Sequence, residues 1–597
     1  VMVLGTADGL NASEVERQLS YPIELAMTGL PKVKTVRSLS KNGLAQVRVT
    51  FEEGTDIYFA RQLVHERLAA VKERLPSGVN VELGPVSTGL GEIYQYTLET
   101  GYSCPDHPSH WSETPGTCPV DGADLVKPDI DAMDLRTIQD WDVAMRLKGI
   151  RGVNEVNSFG GFVKQYQVIP SADKLLKYHL SVQDVLQAVR ANNSNAGGSF
   201  VQHEDEQSYV VSKGLAGSKE DLEAIVLKTE DGTPVTIGDI ATVRIGAMSR
   251  LGAVTRDGRG EVVAGMVIML KGENSRTVVN EVKQRVNEIQ ASLPFGVMIR
   301  PFYDRTDLID SSLNTMTSAL LEGGFFVVLV TFLFLWDIRG ALVVALSLPL
   351  TASMGLLLMD LSDITANLMT LGGLAIAIGM VVDGTIVVVE NIVGMMRKPE
   401  NRHMTRTEVA LQATREVARP IFFSILIIVL VLVPLFTLEQ IEGKMFKPMA
   451  LTIIFAMASS LVIALAVVPP IASMLASRKA EGKKGNPVLR FLLFVYTPLL
   501  NWTIRFRVLV AIIMVALLTA TAFLLPKLGT EFLPPLDEGA IAVNAVRLPS
   551  ASLDASKRQA SALERRILEL VPEVKTVVSK TGRPLIAEDP MGPEQSD

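Results

Sequence analysis

The segment GMVVDGTIVVVEN, residues 379–391, places Asp383 and Glu390 inside a long apolar run. An aspartate near the middle of a membrane helix costs about 2.5–3.5 kcal/mol on insertion scales. Seven residues at about 100° each make nearly two helical turns, so both carboxylates project from one face. A single acid there is explained by a local hydrogen bond. Two on one stripe favour a polar path across the membrane. Burial moves a carboxylate's pKa toward neutrality, which lets it take a proton from one side and release it to the other. Thr385 and Asn391 are hydrogen-bond companions for the pair, although interior Thr and Asn often bond only to backbone.

The helix carrying this pair is one of six runs long enough to span a bilayer, which takes about 20 apolar residues. They are 317–336, 340–359, 366–389, 418–437, 449–475 and 507–526. Basic residues gather in alternate connections: Arg339; then Arg397, Lys398, Arg402, Arg406 and Arg415; then Arg478, Lys479, Lys483, Lys484, Arg490 and Arg505. The other connections carry Asp360 and Asp363, then Glu439, Glu442, Lys444 and Lys447. The positive-inside rule assigns the first set to the cytoplasm. Residues 1–315 and the tail after about 527 are then expected outside. Within the connection 477–506, residues 485–503 are apolar but short and follow lysines. They are expected to lie on the cytoplasmic surface as an amphipathic helix, the alternative being a packed loop.

The remainder has another character. Over its 597 residues the chain is 48% hydrophobic and 20% charged, with a mean hydropathy of +0.29. Residues 1–315 carry charges throughout, whereas 316–530 are mostly apolar. The net charge of −7 gives no case for nucleic-acid binding. No phosphate-binding loop and no nucleophile–base set is found, so an enzyme is not expected. The chain starts at Val1 and stops within what reads as a domain, so it is expected to be a fragment.

The charged region repeats itself. GLPKVKTVRS (29–38) resembles LVPEVKTVVS (570–579), and LKGIRGVNEVNSFGG (147–161) is a looser copy; each follows a helical stretch. A second unit joins the helix 56–74 to LPSGVNVELGP, and the helix 275–292 to LPFGVMIRPFYD. A helix, a Pro-Gly turn and an alternating strand make half of a split βαβ motif. Ferredoxin-like βαββαβ subdomains are expected, with a docking insertion over about 177–270. The expected division is 1–100 and 129–315 as two porter subdomains, 101–128 as an insert, and five helices in 316–476. The segment 477–506, a sixth helix at 507–526 and the start of a second half at 527–597 follow.

With FEEGTDIYFAR (51–61), FGGFVKQYQV (159–168), SLPLTASMG (347–355), NLMTLGGLAIAIGMVVDGTIVVVENI (367–392), FTLEQIEGKMFKPMA (436–450) and GTEFLPPLDEG (529–539), the chain resembles the heavy-metal efflux branch of the resistance–nodulation–cell division superfamily. That resemblance implies an α-helical membrane domain joined to an α+β periplasmic domain. It also implies a multi-pass, proton-driven cation antiporter of the bacterial inner membrane. The pump would be a homotrimer working with a periplasmic adaptor and an outer-membrane channel, and without a permanently bound cofactor. Asp383 and Glu390 match the family's proton relay, whose partner groups, including a lysine, belong to the second half. Many divalent-metal members carry a further aspartate where this chain has Ala377, which suits copper/silver members better. Met369 and Met457 align with methionines proposed to line a copper route. A third falls at Val381, with Met380 adjacent. The Asp-Pro-Met order at Asp589 and Met591 is closer to divalent-metal members, so the metal stays open between copper/silver and zinc/cobalt/cadmium/nickel.

The insert GYSCPDHPSHWSETPGTCPVDGADLVKP (101–128) holds the only two cysteines. It resembles a small heavy-metal-binding module whose pattern is Cys-Pro-x-His-Pro followed by Pro-Gly-x-Cys-Pro-x-Cys-Gly. Cys104, His107 and Cys118 match it, and Asp121 replaces its last cysteine. Two thiolates, an imidazole and a carboxylate suit zinc or a similar ion, zinc or copper being the candidates, with His110 as a spare ligand. The alternatives are a Cys104–Cys118 disulfide, reasonable in an oxidising compartment, or a metal-free relic. Two functions compete with metal export: a drug or lipid exporter of the same superfamily, and a membrane-anchored metal sensor or buffer.

Overall fold

The computed structural model describes residues 1–596 except 8, 77, 87–90, 108–109, 196–198, 212–213, 231, 336–337, 402, 476–486, 528, 530–538 and 585–594. The chain divides into a strand-rich unit, Val1–Thr306 with Ala540–Asp597, and a helical unit, Asp307–Gly539.

The first sheet of the strand-rich unit holds β1 (Met2–Thr6), β2 (Val33–Lys41), β3 (Leu44–Phe51) and β4 (Asn80–Leu83). Helices Ala12–Met27, which include a π turn, and Ile57–Lys72 fill the two crossovers. The strand order is β2-β3-β1-β4, antiparallel throughout. Side-chain caps fix where these helices start: Asn11 accepts from the Glu14 amide and Asp56 from the Phe59 amide. Val3, Ile23, Val47, Val64 and Leu68 make the core between sheet and helices.

The second sheet repeats the plan. It contains β5 (Glu92–Thr100), and the insert follows with the short pair β6 (Tyr102–Ser103) and β7 (Trp111–Ser112). Next come a helical stretch over 132–148 and β8 (Val153–Phe159). A lobe then leaves the sheet, bounded by β9 (Lys164–Pro170) and its partner β14 (Ala241–Ala247), with hairpins β10 (Phe200–His203)/β11 (Glu206–Tyr209) and β12 (Val226–Glu230)/β13 (Thr233–Thr236) between them. The chain returns through β15 (Gly252–Arg256), β16 (Glu261–Met269), the helix Ser275–Gln290 and β17 (Val297–Asp304). β17, β5 and β16 are neighbours and β8 pairs with β16, which is the order of the first sheet again.

β5 therefore belongs with the second sheet, and the boundary between the subdomains falls before it rather than at residue 100. Likewise the lobe that leaves the sheet runs from Lys164 to Ala247, whereas the expected insertion covered 177–270, because β15 and β16 stay in the main sheet. The far end of the sheet is built by later sequence. β18 (Ala545–Val546), β19 (Val578–Gly582) and β20 (Gln595–Ser596) extend it beyond β15 in the spatial order β19, β20, β18, with β19 pairing directly with β15. Glu564, on the helix Leu553–Leu570, is fully buried and accepts from the Thr255 hydroxyl and from the Gly258 amide at 2.7 Å.

In the helical unit, seven helices among the described residues are long and apolar enough to cross a membrane. Five form a packed group: Arg305–Leu335, Ile338–Asp360, Leu368–Arg397, Arg406–Leu432 and Gln440–Val462, the last running on through a π turn to Leu475. The seventh, Pro487–Arg505, falls on the stretch expected as an amphipathic surface helix. Gly373 lets two helices close up, since a Cβ there would stand 2.8 Å from the Met449 carbonyl oxygen.

Candidate proton path and metal centre

Helix Leu368–Arg397 begins at Asn367, whose side chain accepts from the Met369 and Thr370 amides. One side of the helix carries Leu374, Ala377, Val388, Val389, Ile392 and Val393, all buried in the helical core. The other carries Ile376, Gly379, Asp383, Val387, Glu390 and Gly394, all exposed. Their spacings of 3 and 4 make a single stripe. Both carboxylates thus lie on the face that the five-helix group leaves open. Asn391, one step off the stripe, donates to the Ala413 carbonyl at 2.8 Å and to Glu416 at 3.3 Å, so it ties helix to helix. Thr385 is buried.

Of the methionines, Met457 is 1% exposed and shares the core with Ala377, while Met380 is half-buried against the same core. Met369 is half-buried in the first helical turn. Met591 and Asp589 lie outside the described residues.

The insert brings all four of its expected ligands together. One ligand atom each from Cys104, His107, Cys118 and Asp121 lies within 4.8 Å of the others. Two small turns present them. In the first, the His110 amide bonds to the His107 carbonyl and the Cys104 amide to that of His110. In the second, the Gly122 amide bonds to the Cys118 carbonyl and the Cys118 amide to that of Ala123, with Gly122 in the left-handed region. The cysteines are buried and not joined by a disulfide. Cys104 Sγ is 3.7 Å from His107 Nδ1 and 3.4 Å from Asp121 Oδ2, and Nδ1 to Oδ2 is 3.0 Å. Cys118 Sγ is 3.9 Å from Nδ1. Metal–ligand bonds of about 2.0–2.3 Å in a tetrahedron give ligand separations of about 3.3–3.8 Å. The donor set fits a zinc-like ion. The Ala123 amide, then the Cys118 and Cys104 thiols and His107, hold Asp121 down at about 2, whereas burial and the bond to Cys118 push the Cys104 thiol up. His110 stays outside the group, its ring 6.2 Å from that of His107.

Sequence reasoning missed how the insert is seated. Trp111 lies against Gly101, where no Cβ fits, and donates to the Gly296 carbonyl at 3.3 Å. The Arg300 guanidinium stands 5.3 Å from the Trp111 ring centre. Glu113 pairs with both Arg259 and Arg300, and Arg259, then Arg300, hold its carboxyl below the usual range. A tryptophan and a glutamate between the two cysteine turns of a Pro/Gly-rich insert were the only available signal.

The AcrB/AcrD/AcrF family model matches residues 1–597. Protein HelA of Legionella pneumophila is 40% identical over 100% of this chain and 55% of its own length. The cobalt-zinc-cadmium resistance protein CzcA of Cupriavidus metallidurans is 39% identical with the same coverages. The cation efflux system protein CusA of Escherichia coli K12 is 38% identical over 96% of this chain and 53% of its own length. The crystal structure of a heavy metal efflux pump superposes with a TM-score of 0.83 at 33% identity, covering 100% of this chain and 55% of that one. The chain spans about half the length of these relatives.

Proposed function

The chain belongs to the AcrB/AcrD/AcrF family, and from that premise we propose that it is part of a proton-driven exporter of transition-metal cations. One observation carries the reading: Asp383 and Glu390 share the exposed stripe of an otherwise apolar helix. An acid facing lipid is costly, so this stripe calls for a polar cover. The relatives' remaining length is where the resemblance places the lysine that would supply it. With that cover, the two acids exchange protons with either side in turn, and their charge state drives the subdomains that move metal.

The assembly proposed is an inner-membrane homotrimer with an adaptor protein and an outer-membrane channel. The repeated strand order supports ferredoxin-like porter subdomains, with the lobe 164–247 as the docking region. Seven long apolar helices support a multi-pass membrane protein. For Pro487–Arg505 we keep the surface placement. Only Phe506 separates it from the helix Arg507–Leu524, and antiparallel helices need a loop of about 2–5 residues. Arg490, Thr497, Asn501 and Arg505 also fall on one polar stripe.

The metal is a borderline or soft cation. Relatives bear names for cobalt, zinc and cadmium, and for nickel and cobalt. Ala377 in the core pulls toward the copper/silver class. The test is the full-length protein in inverted vesicles, with metal-stimulated proton flux as the readout. Asp383→Asn should abolish that flux, and full flux in this variant overturns the relay. Growth on metals against growth on detergents and drugs separates metal export from the drug-exporter alternative. Removing 101–128 separates a pump, which keeps most resistance, from a sensor, which loses its function.

A further inference from the structure

We propose that the insert is a resident site for a borderline divalent cation of the zinc class, and that the loaded site latches the insert onto the β5–β17 edge of the second sheet. The inference does not depend on the proton relay.

The ligand set argues for the class of metal. Two thiolates are soft, the imidazole is borderline and the carboxylate is hard, a mixture that suits Zn(II), Co(II) or Cd(II) better than Cu(I). Binding releases two thiol protons and is not a redox step. The Asp121 carboxylate is already fixed by the Ala123 amide at 3.0 Å, and Nδ1 of His107 faces it. With the metal, the site carries a net charge of −1, and the buried thiolates are neutralised where burial would otherwise disfavour them.

The consequence follows from chain order. The ligands come in two pairs, 104/107 and 118/121, and the ten residues 108–117 lie between them. A metal shared by both pairs closes that loop. Its Trp111 and Glu113 are the residues that grip the sheet, through Gly296, Arg300 and Arg259. Arg300 also reaches Glu99 at 3.4 Å, which meets Arg256 at 3.1 Å. Arg256 meets Asp257 at 3.3 Å, and Asp257 accepts from the Thr576 hydroxyl and the Val577 amide at 2.9 Å each. An unbroken ladder of charged and polar contacts therefore runs from the insert, across the sheet, to the segment that leads into β19. Occupancy of the insert biases the position of that ladder's first rung.

The experiment uses the full-length protein in detergent, reduced, stripped by chelator and titrated with Co(II) under argon. The expected result is thiolate-to-cobalt charge-transfer absorption with tetrahedral visible bands, both displaced by Zn(II). Cys104→Ser/Cys118→Ser should lose the charge-transfer absorption, and Asp383→Asn should keep it, so a failed relay and a failed insert give different patterns. Absence of the absorption in the reduced wild type, or its persistence in the double variant, overturns the site. Zn(II) should slow hydrogen exchange at residues 110–118 in the wild type and not in the double variant. Unchanged exchange in a protein that shows the cobalt bands overturns the latch.

Discussion

The strand-rich unit and the helical unit treat their ionisable groups in opposite ways. In the first, charges end on partners within the chain: the buried Glu564 on Thr255 and Gly258, the exposed Glu113 on two arginines, the exposed Asp121 on an amide, two thiols and an imidazole. In the second, Asp383 and Glu390 face outward from an apolar helix. Polar groups already satisfied contribute stability and binding geometry. Acids on an apolar helix face are where charge movement is expected.

That contrast can be broken most sharply at the open face. Asp383→Asn in the full-length protein should remove metal resistance and proton flux altogether, whereas Glu390→Gln, nearer the helix end, should retain a measurable fraction; equal losses would erase the distinction between the two positions. Next comes Glu564→Ala. It leaves the Thr255 hydroxyl and the Gly258 amide buried without an acceptor, at about 1–3 kcal/mol each, and should lower the thermal midpoint of the strand-rich unit. The same measurement on Asp383→Asn should show little change, because that residue belongs to the helical unit. A smaller effect is expected from Cys104→Ser/Cys118→Ser on resistance, with growth on metal close to wild type while the cobalt signature disappears.

The smallest effect is on pH. Asp121 is held at about 2 against an ordinary 3.8, so its folded pKa is depressed. Its contribution to the insert is complete above about pH 4 and is lost as pH falls toward 2. Metal-free insert, followed by Trp111 fluorescence in a variant lacking the other tryptophans, should hold its signal down to about pH 4 and lose it below. In Asp121→Asn that transition should vanish.

The sequence reveals the repeated helix–strand units and the acid stripe because both depend on local period. The 3.6-residue turn is enough to put Asp383 and Glu390 on one face, and LPKVKTV marks where a helix gives way to a strand. The four ligands of the insert are legible only through a short pattern of Cys, His and Pro-Gly. What is not legible depends on long-range pairing. Nothing local places β5 with β17, residues 92–100 with 297–304, and so the boundary after residue 100 was misplaced. Nothing local tells Trp111 that Gly101 leaves it room. The Pro487–Arg505 helix was seen as amphipathic, but the one-residue break at Phe506, which governs how it meets its neighbour, is a backbone fact.

The ends of the insert meet. Gly101 donates its amide to the Gly296 carbonyl, Pro128 packs on Gly296, and Ser103 and Val126 exchange hydrogen bonds between these points. A loop whose stem is already closed adds little chain entropy to the host, since closure cost grows only with the logarithm of length. The 28 residues therefore behave as a portable cassette, removable with a short glycine bridge and transferable to another sheet edge that offers a bare glycine beneath a tryptophan.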